Sequence, residues 1–273
     1  MPSHADRADS PSGKGGSSPS AGRLAIVGIG PGNQDQMTAR ARNAIAGADC
    51  IVGNSLYLDQ IAHLLPGKEV IRSSMGKEVD RARKAVELAC SRSVVVVSGG
   101  DPGVYGMASI VLEVLERSGL DIPVEVVPGV TAATAAASLL GAPLSGDFMV
   151  ASLSDLLTPW EEIERRLDLA FRLGVPVVLY NPRSRGRKDH LAVALAIAAR
   201  HLPPETPVGF VKDAYREGEG LAVTTLSSAT ERIGEVDMHA TIIIGGRGSR
   251  IWRRGDDEQG IITPRGYERK YLY

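Results

Sequence analysis

Four loops gather the residues that could do chemistry. They are Gly28-Ile29-Gly30-Pro31-Gly32, Ser98-Gly99-Gly100-Asp101-Pro102-Gly103, Pro128-Gly129-Val130-Thr131-Ala132 and Asn181-Pro182-Arg183-Ser184-Arg185. Glycines let a ligand approach bare main chain, and Asp101 adds one acceptor among them. An ordinary tight turn is the plainer reading of Gly-Asp-Pro-Gly. No Ser/His/Asp constellation, paired-carboxylate spacing or metal-ligand cluster accompanies these loops. That pattern favours a reaction driven by positioning rather than by a strong protein acid or nucleophile. Transfer of a methyl group from an activated sulfonium is one such reaction, because alignment with the acceptor dominates it.

The loops need strands to place them. Val94-Val95-Val96-Val97 reads as a strand of a parallel sheet covered on both faces. It leads through Asp101 into a helix over Ala108 to Arg117, with Gly119 as the residue that closes it. Around it lie a strand Leu24 to Gly28, a helix Thr38 to Ala48, a strand Cys50 to Val52 and a helix Leu58 to Leu65. A strand Glu69 to Ile71, a helix Lys77 to Ala89 and a strand Val124 to Val127 complete the alternation. Thr131 is placed to cap a helix over Ala132 to Leu140. This half reads as a doubly wound parallel sheet, in which ligands bind beyond the carboxyl ends of the strands.

Gly141 to Gly146 reads as a joint. Beyond it come strands at Phe148 to Leu153, Val175 to Tyr180, Pro207 to Lys212, Leu221 to Leu226 and Thr241 to Gly246. Helices at Pro159 to Leu173 and His190 to His201 interleave with them. Strands follow one another directly after Val208, so this sheet should be mixed. The division is then a disordered tail over 1–22, α/β domains over 23–143 and 147–253, and a polar, basic tail over 254–273.

Composition narrows the classes. The 273 residues carry a net charge of -1, with 43% hydrophobic and 23% charged, which suits a globular chain and gives no sign of nucleic-acid binding. No apolar run is long enough to span a membrane, and the N-terminus lacks the apolar core of a secretory signal, so the cytoplasm is expected. Cys50 and Cys90 lack a partner at metal spacing and read as small core residues. A dinucleotide fingerprint fails on detail. Asn33 stands where the third glycine belongs, and Pro31 removes a backbone N–H from the loop.

Taken in order, the first three loops and Ile242-Ile243-Ile244-Gly245 resemble the tetrapyrrole (corrin and porphyrin) methylases. Tyr180-Asn181-Pro182-Arg183-Ser184, Lys212-Asp213-Ala214-Tyr215-Arg216 and Thr263-Pro264-Arg265-Gly266-Tyr267 resemble its precorrin-3B C(17)-methyltransferase branch, from cobalamin biosynthesis. The resemblance implies two α/β domains with S-adenosylmethionine in the cleft between them, a precorrin substrate, no metal of the protein's own, and a homodimer. It places Pro31, in the first loop next to the tetrapyrrole trough, among the cofactor contacts, and Gly99, Gly100, Asp101 and Val104 in the main cofactor loop. Thr131, Ala132, Asn181 and Ala214 follow as further cofactor contacts, with His239, Ala240 and Thr241 beside the adenine. Related uroporphyrinogen methylases carry an acid–base pair of Asp and Lys where this chain has Asn54 and Lys77. An amide cannot take that proton, so both become at most substrate contacts and the catalytic residue stays unassigned. Precorrin carboxylates need forked cations, which the crowded loop after Tyr180 offers, so Arg183 or Arg185 is expected to grip a propionate. A cobalt-containing precorrin, another precorrin, a nicotinamide dehydrogenase and a non-enzymatic tetrapyrrole carrier stay open as alternatives.

Overall fold

The protein is described from a computed structural model over residues 22–254 and 258–272. The expected N-terminal tail, apart from Gly22, lies outside the described residues. In the first unit β1 (Arg23–Gly28), α1 (Ala39–Ala46), β2 (Cys50–Asn54), α2 (Ser55–Gln60) and β3 (Glu69–Ser73) alternate. They are followed by α3 (Glu78–Ala89), β4 (Ser93–Ser98), α4 (Ala108–Ser118) and β5 (Val124–Val127). The strands pair in parallel in the order β3-β2-β4-β1-β5.

The valine run is the central strand, and every residue of β4 is buried. Because side chains alternate along a strand, Val94 and Val96 join Leu24, Ile26 and the α3–α4 layer. Val95 and Val97 face Ala41, Ile45 and Leu58 on the other side. An uninterrupted apolar run is what two helical layers demand. The edge strand β5, by contrast, buries only Val127.

Two local expectations are corrected here. The helix expected over Leu58 to Leu65 starts earlier, at Ser55, and ends at Gln60. Asn54 caps it, its side-chain oxygen accepting the Leu56 N–H at 2.9 Å, and a separate 3-10 turn covers Ala62–Leu64. Cys50 is buried as expected, but Cys90, just past the end of α3, is exposed.

The second unit contains α5 (Ala132–Leu140), β6 (Gly141–Ala142), β7 (Met149–Ser152), α6 (Trp160–Leu173), β8 (Val177–Tyr180) and α7 (His190–Ala199). It continues through β9 (Pro207–Lys212), β10 (Gly220–Thr225), β11 (Ala240–Ile244), β12 (Arg250–Arg254) and β13 (Glu258–Ile262). Its sheet runs β10-β9-β11-β8-β7. Only β7 and β8 pair in parallel, so the sheet is mixed. Helices α6 and α7 cover one face, while Ala133, Ala136, Ala137 and Leu140 of α5 pack on the other, against Val178, Val211 and Ile243. By packing, the chain passes from the first sheet to the second at Pro128–Thr131, ahead of the segment the sequence marks as a joint. The basic tail expected from residue 254 is in part a strand. β13 pairs antiparallel with β12 and parallel with β6, and Ile261 is fully buried. Among the described residues no helix is long and apolar enough to cross a membrane.

Candidate active site

Three strand ends are drawn together by glycine. A methyl group added to Gly129 would lie 2.1 Å from the Gly100 carbonyl oxygen, and one on Gly28 would lie 2.6 Å from the same atom. Gly30 and Gly100 exchange two backbone hydrogen bonds, of 3.1 and 2.8 Å, both with positive φ. A side chain at Gly28 or Gly129 would push this main-chain knot apart, which is why β1, β4 and β5 all end in glycine-bearing loops. Asp101 then fastens it. One carboxylate oxygen accepts the Gly103 N–H at 2.8 Å and the other the Gly129 N–H at 3.0 Å. The acceptor expected to await a ligand is therefore bonded to its own and a neighbouring loop.

The start of α5 departs from local capping. Thr131 occupies the N-cap position, but its hydroxyl makes no bond to its own helix. Instead it lies 2.6 Å from the Tyr180 hydroxyl, which accepts the Ala133 N–H at 2.7 Å. The cap is borrowed from the end of β8, in the opposite layer. Burial raises the Tyr180 phenol pKa, with the Thr131 and Ala133 hydrogen bonds pulling the other way. A raised folded pKa means this contribution is complete below an ordinary tyrosine pKa of about 10 and is lost as pH rises through the higher folded value. Tyr180→Phe orphans the Ala133 N–H and should lower unfolding stability by about 1–3 kcal/mol. Urea denaturation against pH should also show that the variant lacks this part of the alkaline decline.

Between the two units lies a cavity of about 380 Å³. All twelve residues expected to hold the cofactor line it. Pro31, Gly99, Gly100, Asp101 and Val104 come from the first sheet's loops, and Thr131 and Ala132 from the crossing. Asn181, Ala214, His239, Ala240 and Thr241 come from the second sheet. The second-sheet side is backbone under strain, with positive φ at the non-glycine residues Asn181, Asp213 and Tyr215. The Asn181 amide donates to the Ser152 hydroxyl at 2.9 Å, and His239 Nδ1 lies 3.2 Å from an Asp213 carboxylate oxygen.

Eight further lining residues escaped the sequence reading: Leu56, Tyr57, Met75, Tyr105, Tyr180, Asp213, Arg216 and Met238. Tyr180, Asp213 and Arg216 sit inside quoted motifs, so proximity to Asn181 and Ala214 was the available signal. Tyr57, whose ring covers Gly99, and the two methionines gave none. Tyr105 reaches across the cleft, its hydroxyl accepting the Ser152 N–H at 3.2 Å, and its ring meets Tyr180 edge-on at 5.8 Å.

The four substrate candidates do not line the cavity. Asn54 is buried as the α2 cap. Lys77 is an exposed residue at the start of α3, 3.5 Å from Asp80. Arg183 donates to the carbonyls of Ile233 and Gly234 at 3.1 and 3.3 Å, so one end of its fork is taken up by the close of a 3-10 helix over Ala229–Glu235. Arg185 points to solvent from an exposed turn.

The donor set fits a sulfonium nucleoside. Small residues leave backbone edges open on both sides, three tyrosine rings offer faces suited to a cation, and leucine, valine and methionine side chains supply apolar contact.

Residues 23–230 match the tetrapyrrole (corrin/porphyrin) methylases. The cobalamin biosynthesis protein CbiHC of Archaeoglobus fulgidus is 44% identical over 93% of this chain, which spans only 54% of that relative's length. A probable cobalt-factor III C(17)-methyltransferase of Salmonella typhimurium is 43% identical over 89% of this chain and 99% of its own. A precorrin-3B C(17)-methyltransferase of Sinorhizobium sp is 40% identical over 90% and 97%. The crystal structure of the methyltransferase CobJ is similar with a TM-score of 0.81 and 35% identity, covering 89% of this chain and all of the other. A uroporphyrin-III C-methyl transferase from Thermus thermophilus, complexed with S-adenyl homocysteine, gives 0.66 and 27%, covering 82% and 97%.

Proposed function

This chain belongs to the tetrapyrrole (corrin/porphyrin) methylase family, and from that premise we propose that it methylates carbon 17 of precorrin-3B in cobalamin biosynthesis. S-adenosylmethionine is the methyl donor, and the macrocycle contracts to precorrin-4. The observation that carries the reading is the cavity itself, built from main chain at strand ends and lined by every residue expected to hold the cofactor. The Salmonella and Sinorhizobium relatives, matched over nearly their whole lengths, support the substrate, one named for cobalt-factor III and the other for precorrin-3B. The cobalt-containing substrate is the second reading, favoured by the higher identity to the Salmonella protein. A homodimer belongs to the same proposal, carried by the family resemblance.

When bound, S-adenosylmethionine supplies a methyl group already activated for transfer to a ring carbon. The chain's own work is to orient and exclude water. Asp101 and the glycine knot fix one wall, while Asn181 and Ala214 fix the facing one. Tyr180 holds Thr131 and Ala132 at the start of α5.

The test is to incubate the protein with S-adenosylmethionine and either precorrin-3B or its cobalt counterpart, and to follow the product by mass spectrometry. One added methyl group on precorrin-3B is expected. Methylation of the cobalt form alone would move the reading to the second substrate, and methylation of neither would overturn it. S-adenosylhomocysteine at a hundredfold its Kd should add about 2.7 kcal/mol of unfolding stability. NAD should add nothing, and a thermal-shift series reads both.

A further inference from the structure

Among the described residues, Arg216 is the one arginine or lysine lining the cavity, and its surroundings hold it ready for an anion. Its Nε donates to the Pro31 carbonyl in the opposite unit, and its stem lies over Gly32, where an added Cβ would fall 2.3 Å from Arg216 Cγ. Among the described residues, neither terminal nitrogen has a hydrogen-bond partner, and no carboxylate lies within 4.0 Å of the guanidinium. The two acids lining the cavity already have partners: Asp101 accepts from two amides, and an Asp213 carboxylate oxygen lies 3.2 Å from His239 Nδ1.

The turn that presents Arg216 is fastened at several points. Asp213 and Tyr215 adopt φ of 46° and 58°, the Tyr215 N–H donates to Glu219 at 2.7 Å, and the Tyr215 hydroxyl meets Ser138 of α5 at 2.7 Å. Such backbone persists only where its surroundings impose it. The result is a fork oriented by one nitrogen, with its two outer donors left without a protein partner among the described residues.

We propose that Arg216 clamps a carboxylate side chain of the tetrapyrrole acceptor and so sets how the macrocycle lies across the cavity mouth. This rests on the functional reading above. A cavity of about 380 Å³ accommodates a nucleoside-sized ligand, so a four-ring acceptor must extend over its rim. There Arg216 is half-buried, beside the exposed residues 217–219. A planar guanidinium pairs with carboxylate through two parallel bonds, which gives orientation as well as attraction. Lysine supplies only the charge.

The test compares wild type with Arg216→Met, Arg216→Lys and Gly32→Ala. Three quantities are measured: KM and kcat for precorrin-3B, absorbance-monitored binding of precorrin-3B in the presence of S-adenosylhomocysteine, and calorimetric Kd for S-adenosylhomocysteine alone. Arg216→Met should weaken acceptor binding on the order of tenfold to a hundredfold, with Kd for the nucleoside unchanged within about twofold. Arg216→Lys should recover only part of the loss. Gly32→Ala keeps the guanidinium but displaces its stem, so it should weaken acceptor binding too, and combining it with Arg216→Met should add nothing. The nucleoside Kd reports whether each variant keeps a folded cleft. An acceptor affinity in Arg216→Met equal to that of active wild type would overturn this proposal alone, as would a loss confined to the nucleoside. Wild type that neither binds nor methylates a tetrapyrrole would overturn the functional reading beneath it.

Discussion

A Gly129→Ala protein is expected to lose measurable S-adenosylhomocysteine binding and about 3 kcal/mol of stability. The added methyl would sit 2.1 Å from the Gly100 carbonyl oxygen and 2.9 Å from the Gly28 carbonyl carbon. Both obstacles are main chain, so no rotamer change relieves the clash. The ends of β1 and β4 must separate from that of β5, which moves Pro31 and Asp101 away from the positions that shape the cavity. Gly146→Ala is the matched control. Nothing lies within 4 Å of its added Cβ, and its φ is not in the left-handed region. Urea denaturation and calorimetric titration of the two variants should therefore separate cleanly. Equal nucleoside affinity in both would contradict the account of the knot.

Asp101→Asn should cost almost as much as Asp101→Ala, despite its near-identical shape. The carboxylate accepts from two N–H groups, Gly103 at 2.8 Å and Gly129 at 3.0 Å, one on each oxygen. An amide keeps one acceptor and turns a donor toward the other N–H, which leaves that group without a partner. Hydrogen bonds to a charged group are each worth about 1.5–3 kcal/mol. Losing one and opposing it with a donor should weaken S-adenosylhomocysteine binding on the order of a hundredfold, with an accompanying fall in melting temperature. Retention of wild-type affinity by Asp101→Asn would show that the loop is held by something else.

What the sequence made legible follows from periodicity and from chemistry confined to short segments. Four consecutive valines can be satisfied only by cover on two faces, and β4 has it. Glycine and proline after each strand mark the cavity walls, because close main-chain approach cannot be built from other residues. Allegiance was harder to read. The alanine-rich face of α5 would suit either sheet, and only the packed structure puts it on the second. The hairpin of β12 and β13 is hidden by its polar composition, since its pairing with Gly141–Ala142 joins segments far apart in sequence.

Cations were the least legible. Counting arginines after Tyr180 finds charge but not the carbonyls that occupy Arg183, nor the isolation of Arg216 within the cavity. Thr131 illustrates the same limit. Its position as a cap is local and readable, whereas the partner that uses it, Tyr180, arrives from another layer.

The most direct test of the central claim is a crystal structure of the protein with S-adenosylhomocysteine. The nucleoside is expected in the interdomain cavity, with its sulfur between the Asp101 loop and the Asn181–Ala214 wall and with the Arg216 terminal nitrogens still open toward the mouth. Clear density for the nucleoside at any other place, with this cavity empty, would contradict the account.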